Sequence, residues 1–248
     1  MVWRKGFFCL AGMRSDVFTD YEQIAGGYES GDKTYPILFW LHGGSGHRGF
    51  LEGTAPLFKR MWKEGTLSEM VVVTPHAARY PANYLDFQDG SQHWESFITG
   101  QLLAHVRAEY RVSKDRSGTF IGGISMGGLG ALRLGLKHLD TFGAVVAFEP
   151  QIQPTFEAEE GSAVRDSGIK IYIEVGSEDV FEFHRGTHFL RKALYERGIR
   201  HEYRYVYGAD HVGASLEWRC RDGFAFLNRL INPPPPDPEV ENFRRRFR

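Results

Sequence analysis

The sequence predicts an α/β protein with a mostly parallel central sheet and helices on both of its faces, on three observations. Short runs rich in Val, Ile and Phe recur along the chain, stretches with apolar residues three and four apart lie between them, and the two kinds alternate. Most of the runs are apolar at nearly every position rather than at every second one, as strands covered on both sides must be.

Taken in order, VFTDYEQIAGGYESGDKTYP (17–36) predicts an edge strand followed by a Gly/Asp turn. The strands proper are YPILFWLH (35–42), MVVVTP (70–75), GTFIGGI (118–124), FGAVVAF (142–148), IKIYIEVG (169–176) and HEYRYVY (201–207). Between or after them, FLEGTAPLFKRMWKEG, WESFITGQLLAHVRAEYR, GLGALRLGLKHL, HFLRKALYERG and SLEWRCRDGFAFLNRLI carry the spacing of amphipathic helices. The tail NPPPPDPEVENFRRRFR has four consecutive prolines and no apolar face, which predicts a solvated, polyproline-like extension over 232–248.

The chain has 248 residues and no internal linker, so residues 1–231 are expected to form one domain. A formal net charge of -1 leaves no electrostatic footprint for nucleic acid or an anionic membrane, and neither is expected as a partner. No run is long enough to span a bilayer. The two cysteines, Cys9 and Cys220, sit far apart without ligand-like spacing, which predicts reduced thiols and a cytoplasmic protein. The start MVWRKGFFCLAGM resembles a secretory signal only faintly, since its apolar stretch is short and no clean cleavage site follows.

The segment that carries chemistry is GTFIGGISMGGLGALRLGL (118–136). Gly123-Ile124-Ser125-Met126-Gly127 fits G-x-S-x-G, with a buried-strand pattern before it and a helix pattern from about Met126. A sharp strand-to-helix turn lifts a serine hydroxyl above the sheet edge, while glycines at 123 and 127 let helix and strand approach closely. The helix N-terminus then directs N–H groups toward an anionic intermediate. A phosphate-cradling loop fits poorly, because neither a GK[ST] ending nor a G-x-G-x-x-G is present.

Such a serine needs a base, a group that orients the base, and an oxyanion hole. Asp179 follows the strand IKIYIEVG and His211 follows HEYRYVY, in the order nucleophile, acid, histidine. Glu178 is a rival acid and Asp210 a weaker one. The loop LHGGSG (41–46) follows the first strand, making the backbone N–H groups of Gly44 and Met126 the expected oxyanion donors, with His42 bracing that loop. His184 and His188 are four apart, but no third ligand accompanies them, so no metal site is expected.

The combination of YPILFWLHGGSG, GGISMGGLGALRLGLKHLDTFGAVVAFEP, VGSEDVF and GADHVG resembles the esterase D-like serine esterases over about residues 17–231. That family includes S-formylglutathione hydrolases, feruloyl and acetylxylan esterases, enterobactin-type esterases and mycolyltransferases. The resemblance implies an α/β-hydrolase fold, Ser125 as nucleophile, Asp179 as acid, His211 as base, Gly44 and Met126 as oxyanion donors, and no cofactor. The implied activity is hydrolysis of short-chain or aromatic acyl esters, including those of acylated saccharides. A thioesterase like the S-formylglutathione hydrolases, an acyltransferase on the same residues, and a non-catalytic binding protein are the alternatives. The segment HVGASLEW delays Trp218 relative to carbohydrate-directed members, and TFEAEEGSAVRDSG departs from the formylglutathione hydrolases.

Two long loops, 75–93 and 149–168, are expected to set specificity. Aromatic side chains available to wall a pocket are Tyr80, Tyr84, Phe87, Trp94, Phe156, Phe181 and Trp218. Of these Tyr84, Trp94, Phe181 and Trp218 are the preferred candidates.

Overall fold

The computed structural model describes residues 31–46, 49–76, 83–152 and 161–246. Cys9, the N-terminal apolar stretch, most of the expected edge strand over 17–36, Tyr80 and Phe156 lie outside the described residues.

All six expected strand runs form strands: β1 (Ile37–Leu41), β2 (Val71–Val73), β3 (Thr119–Ile124), β4 (Ala144–Phe148), β5 (Lys170–Gly176) and β6 (Glu202–Val206). They make one parallel sheet in the order β2-β1-β3-β4-β5-β6. The order runs outward in both directions from β1 and β3, so the crossovers place helices on both faces. β1 and β3 are buried at every position, which is why their sequences show no alternation. β6 lies at the sheet edge and is half exposed, and its run is correspondingly mixed, with Glu202 and Arg204 among tyrosines.

Alternate side chains of each strand feed two cores. Ile37, Phe39, Leu41, Ile121, Val145 and Ile173 pack with Val106 of α3 (Leu103–Glu109), Leu132 of α4 (Met126–Lys137) and Leu190 of α6 (Phe183–Glu196). On the opposite face Leu38, Trp40, Phe120, Val146, Phe148 and Tyr172 pack with Phe58 of α1 (Phe50–Lys63) and Phe224 of α7 (Leu216–Ile231). Trp40 anchors that face, with the rings of Phe50, Phe58, Phe148 and Phe224 all within 6.4 Å of its own. The expected helix from Trp94 onward begins as α2 (Trp94–Ser96), widens into a π-helical segment over Phe97–Leu102 and continues as α3.

Two helices were not foreseen. α5 (Gly161–Ser167) occupies part of the expected loop 149–168. α8 (Pro238–Arg246) replaces the expected polyproline conformation at the end of the tail, although none of its residues is buried. The cause is local: Asp237 caps the helix through its Oδ1, which accepts the Glu239 N–H at 2.9 Å. Pro238 sits at the first helical position, where its missing N–H costs nothing, with Glu239 and Glu241 in the first turn and three arginines in the last. Among the described residues no helix is long and apolar enough to cross a membrane.

Candidate active site

The centre of the sheet and the loops at its C-terminal edge bring Ser125, His211 and Asp179 together. Ser125 lies between β3 and α4 with φ 57° and ψ -118°, a backbone conformation that a non-glycine residue holds only where its surroundings fix it. Those surroundings are explicit. The Ser125 N–H donates to the Phe148 carbonyl at 2.9 Å, and its own carbonyl accepts from Leu129 and Gln151. A Cβ on Gly127 would drive into the carbonyl oxygens of Leu41 and His42, and one on Gly123 into the backbone of Gly127. Only glycine at both positions lets the first turn of α4 rest on the end of β1.

His211 follows β6 and Asp179 follows β5. His211 Nε2 is 2.9 Å from Ser125 Oγ, and His211 Nδ1 is 3.0 Å from Asp179 Oδ2. Asp179 Oδ1 accepts the Phe181 N–H at 2.7 Å. The rival acids are placed elsewhere: Glu178 is bonded by the hydroxyl of Ser177, while Asp210 Oδ1 accepts the N–H groups of Val180 and of His211 itself. Asp210 therefore ties the acid loop to the histidine loop.

Burial works to raise the Asp179 carboxyl, but the hydrogen bonds from His211 and the Phe181 N–H lead the effects that outweigh it and hold the group below its ordinary value. Asp179 is thus an anion at neutral pH, matched to an imidazole N–H.

The loop after β1 lies against the serine. A Cβ on Gly43 would sit 3.3 Å from Ser125 Cβ and 3.9 Å from Ser125 Oγ, so the backbone here approaches the hydroxyl closely. Gly44 begins the turn that the Gly46 N–H closes on the Gly43 carbonyl at 2.9 Å. Met126 is the first residue of α4, where an N–H has no acceptor within the helix. His42 is buried among the rings of Phe50, His76 and Tyr84.

The four aromatic candidates divide into two pairs. Tyr84 is wholly buried, and its hydroxyl donates to the His42 carbonyl at 2.9 Å. Trp94 is buried too, with its Nε1 donating to Gln92. Both are therefore core residues that brace the loop after β1 and the start of α2, a correction to their expected place on a pocket wall. Their burial follows from packing: the Tyr84 ring fills the space that a glycine leaves at position 130 of α4, and Trp94 stands edge-on to Tyr84 and Phe97.

Phe181 and Trp218 remain exposed. Phe181 stacks on Phe183, and both rings present edges or faces to the His211 imidazole at 4.8 and 5.3 Å. With Val180 and Val212, also exposed, they form an apolar rim beside His211.

Three buried charged residues next to this site escaped the sequence reading. Glu149, Glu174 and Arg219 have no exposed side-chain surface, and the Arg219 guanidinium bridges the two carboxyl groups. The signal was present: Glu174 interrupts the fully buried run of β5, and Arg219 falls on the apolar face of α7. Glu149, Asp179 and His211 bring potential ligand atoms within 4.8 Å of one another, a spacing a metal ion could bridge. Both His211 nitrogens and both Asp179 oxygens are already hydrogen-bonded, so this donor set fits a proton relay better than a metal centre. His184 and His188 lie on α6, where His188 Nδ1 is bonded to the Tyr203 hydroxyl at 2.8 Å.

A parallel sheet in this order, with a serine on a strained turn between its central strand and the following helix, defines the α/β-hydrolase fold. The chain belongs to the Esterase family, which it matches over residues 26–221. An esterase of Mycobacterium tuberculosis is 30% identical over 118 residues, 46% of this chain and 25% of that one. An acetyl esterase of Caldicellulosiruptor saccharolyticus is 38% identical over 64 residues, 26% of this chain and 24% of that one. The chain thus spans about a quarter of the length of the curated relatives it matches. Among solved structures, a ferulic acid esterase superposes with a TM-score of 0.73 at 21% identity, covering 87% of this chain and 97% of that one. An S-formylglutathione hydrolase from Agrobacterium tumefaciens superposes with a TM-score of 0.68 at 20% identity, covering 94% and 99%.

Proposed function

We propose that the protein is a serine carboxylesterase that hydrolyses short-chain or aromatic acyl esters, including those of acylated saccharides, with Ser125 as nucleophile, His211 as base and Asp179 as the orienting acid. The observation that carries this reading is the unbroken chain from Ser125 Oγ through His211 to Asp179, with links of 2.9 and 3.0 Å.

In this mechanism His211 Nε2 takes the Ser125 proton as Oγ attacks the ester carbonyl. The carbonyl π electrons move to oxygen, and the oxyanion is held by the N–H groups of Gly44 and Met126. Collapse expels the alcohol, which takes its proton from His211, and leaves an acyl-serine. Water, deprotonated by His211, repeats the attack and releases the acid and the free hydroxyl. Asp179 holds the Nδ1–H tautomer and stabilises the imidazolium at each turn.

The aromatic rim at Phe181 and Phe183 favours planar acyl or alcohol groups over long flexible chains. Residues 1–231 form the catalytic unit in this reading, and 232–248 an appended tail. The buried free thiol of Cys220 suits a reducing, cytoplasmic setting.

The test is hydrolysis of p-nitrophenyl acetate, butyrate and octanoate, methyl ferulate, acetylated xylan and S-formylglutathione by wild type and by Ser125→Ala, with fluorophosphonate labelling alongside. Hydrolysis that survives in the variant sinks the mechanism. Turnover of the thioester alone, or faster capture of the acyl group by an added alcohol than by water, replaces the carboxylesterase with the thioesterase or the acyltransferase.

A further inference from the structure

Glu149 follows β4 directly and is fixed from several sides. Its φ of 44° is left-handed, and its N–H donates to the Glu174 carbonyl at 2.8 Å. Its Oε1 accepts the Gly176 N–H at 2.8 Å and a bond from Arg219 Nη1. Its Oε2 is buried and faces no hydrogen-bond donor among the described residues. Asp179, another carboxyl whose side chain is also fully buried, lies beside Glu149, with carboxylate oxygens of the two within 4.8 Å of each other.

Two buried carboxyl groups this close cannot both stay ionised cheaply, so one keeps a proton. The contacts decide which. Both Asp179 oxygens accept N–H bonds that favour its anion, whereas Glu149 Oε2 accepts none. A proton on Oε2 turns the unmatched acceptor into a donor, with the Asp179 carboxylate as its acceptor.

We propose that Glu149 is a neutral carboxylic acid at neutral pH and a positioning residue of the active site, donating a hydrogen bond to Asp179 and so fixing the carboxylate that orients His211. The groups facing it are Arg219 from α7, Glu174 from β5, Asp179 and His211 from the two loops, and Tyr203 from β6; Arg204 and Asp222 act on Glu174 in turn. Burial pushes Glu149 up to about 8 despite the hydrogen bond and charge of Arg219, and the Asp179 carboxylate adds to the rise. Arg219 serves three elements at once, since its Nη1 also bonds Glu174 at 2.9 Å and its Nη2 the Asp210 carbonyl next to His211 at 2.9 Å. The buried charge is then shared by one guanidinium and carboxyl groups that do not all ionise.

The kinetic consequence rests on the serine esterase reading; the protonation state does not, and the two are measured separately. Infrared spectra of substrate-free protein at neutral pH should show the carbonyl stretch of a buried, protonated carboxylic acid in wild type and in Glu174→Gln, and lose it in Glu149→Gln. If no band disappears in Glu149→Gln, the proposal is overturned whatever the activity. Gln can keep Oε1 for Gly176 and Arg219 and donate an amide N–H to Asp179, so it mimics the protonated acid. Glu149→Ala should lower kcat by about 10- to 100-fold with KM nearly unchanged, because the acid that orients His211 drifts. Glu149→Gln should recover most of that loss, and should remove a fall in wild-type kcat as pH rises past the point where Glu149 ionises. A folded Gln variant whose kcat falls about 10-fold or more below wild type overturns the positioning role, and because that comparison is made against wild type it holds even where Ala fails to fold. A wild type that neither hydrolyses an ester nor accepts a fluorophosphonate overturns the esterase reading and with it the positioning role, while the infrared band still decides the protonation of Glu149.

Discussion

Gly127 lies so close to Leu41 that a side chain on it would collide with the Leu41 carbonyl oxygen, which joins the first turn of α4 to the end of β1. Gly127→Ala must push these elements apart, at a cost of about 1–3 kcal/mol in stability. Because Ser125 and the loop after β1 sit on the two sides of this contact, activity should fall further than stability alone explains. Gly53 in α1 has nothing near its missing side chain, and Gly53→Ala should be neutral or stabilising by up to about 1 kcal/mol. Denaturant midpoints of the two variants, read beside their kcat values, check both statements.

The acid position separates Asp179 from its neighbours. Asp179→Asn keeps the shape but presents an amide to His211 Nδ1, favouring the wrong tautomer, and should lower kcat by about 10⁴-fold. Glu178→Gln and Asp210→Asn should cost far less, since neither side chain is bonded to the imidazole. Ser125→Ala and His211→Ala should each cost as much as their combination, because the three groups act as a unit. Strict additivity in the double variant, measured as kcat on one ester, would separate their roles.

Stability should depend on pH with opposite signs at two places in this site. Burial raises Glu149 from an ordinary 4.5 to about 8 and Glu174 from 4.5 to about 7, each against the pull of Arg219. The folded protein therefore binds more protons than the unfolded chain in this window. Their contribution is complete below about pH 4.5 and is lost as pH rises through 7 and 8. Asp179, held below its ordinary 3.8, contributes above that value and loses its contribution as pH falls through its lowered one. Thermal midpoints measured from pH 5 to pH 9 should decline in wild type, and the decline should be shallower in Glu149→Gln. Parallel curves for the two proteins would mean that Glu149 is not the group losing its proton.

What the sequence made legible follows from how strongly each feature constrains residue choice. Strands buried on both faces leave uninterrupted apolar runs, and a strand-to-helix turn this tight leaves glycines flanking its serine, so the sheet and the turn that carries Ser125 could be read directly. Tyr84 and Trp94 could not be placed, because an aromatic residue in a long loop looks the same whether it turns inward, as both do, or outward to the surface beside His211, as Phe181 does. Arg219, Glu149 and Glu174 come from α7, the end of β4 and the middle of β5, and their meeting is a property of the folded chain alone. α8 was hidden by the prolines before it, although Asp237 and Pro238 are ordinary helix-start residues.

The apolar rim gives the last prediction. Phe181 is 60% exposed, yet it stacks on Phe183 and meets the His211 ring at 4.8 Å, so its removal should cost little stability while opening the wall beside the base. An aromatic stacking contact is worth about 0.5–1.5 kcal/mol, or roughly a 2- to 10-fold change in binding. Phe181→Ala should lower kcat/KM for methyl ferulate relative to p-nitrophenyl acetate by that factor. The ratio isolates the subsite, because any disturbance of His211 itself lowers both reactions equally. Trp218, on the first turn of α7 and 47% exposed, is the competing aromatic. If Trp218→Ala shifts the ratio and Phe181→Ala does not, the aromatic group binds on the α7 side and the rim at Phe181 serves only to shield His211 from water.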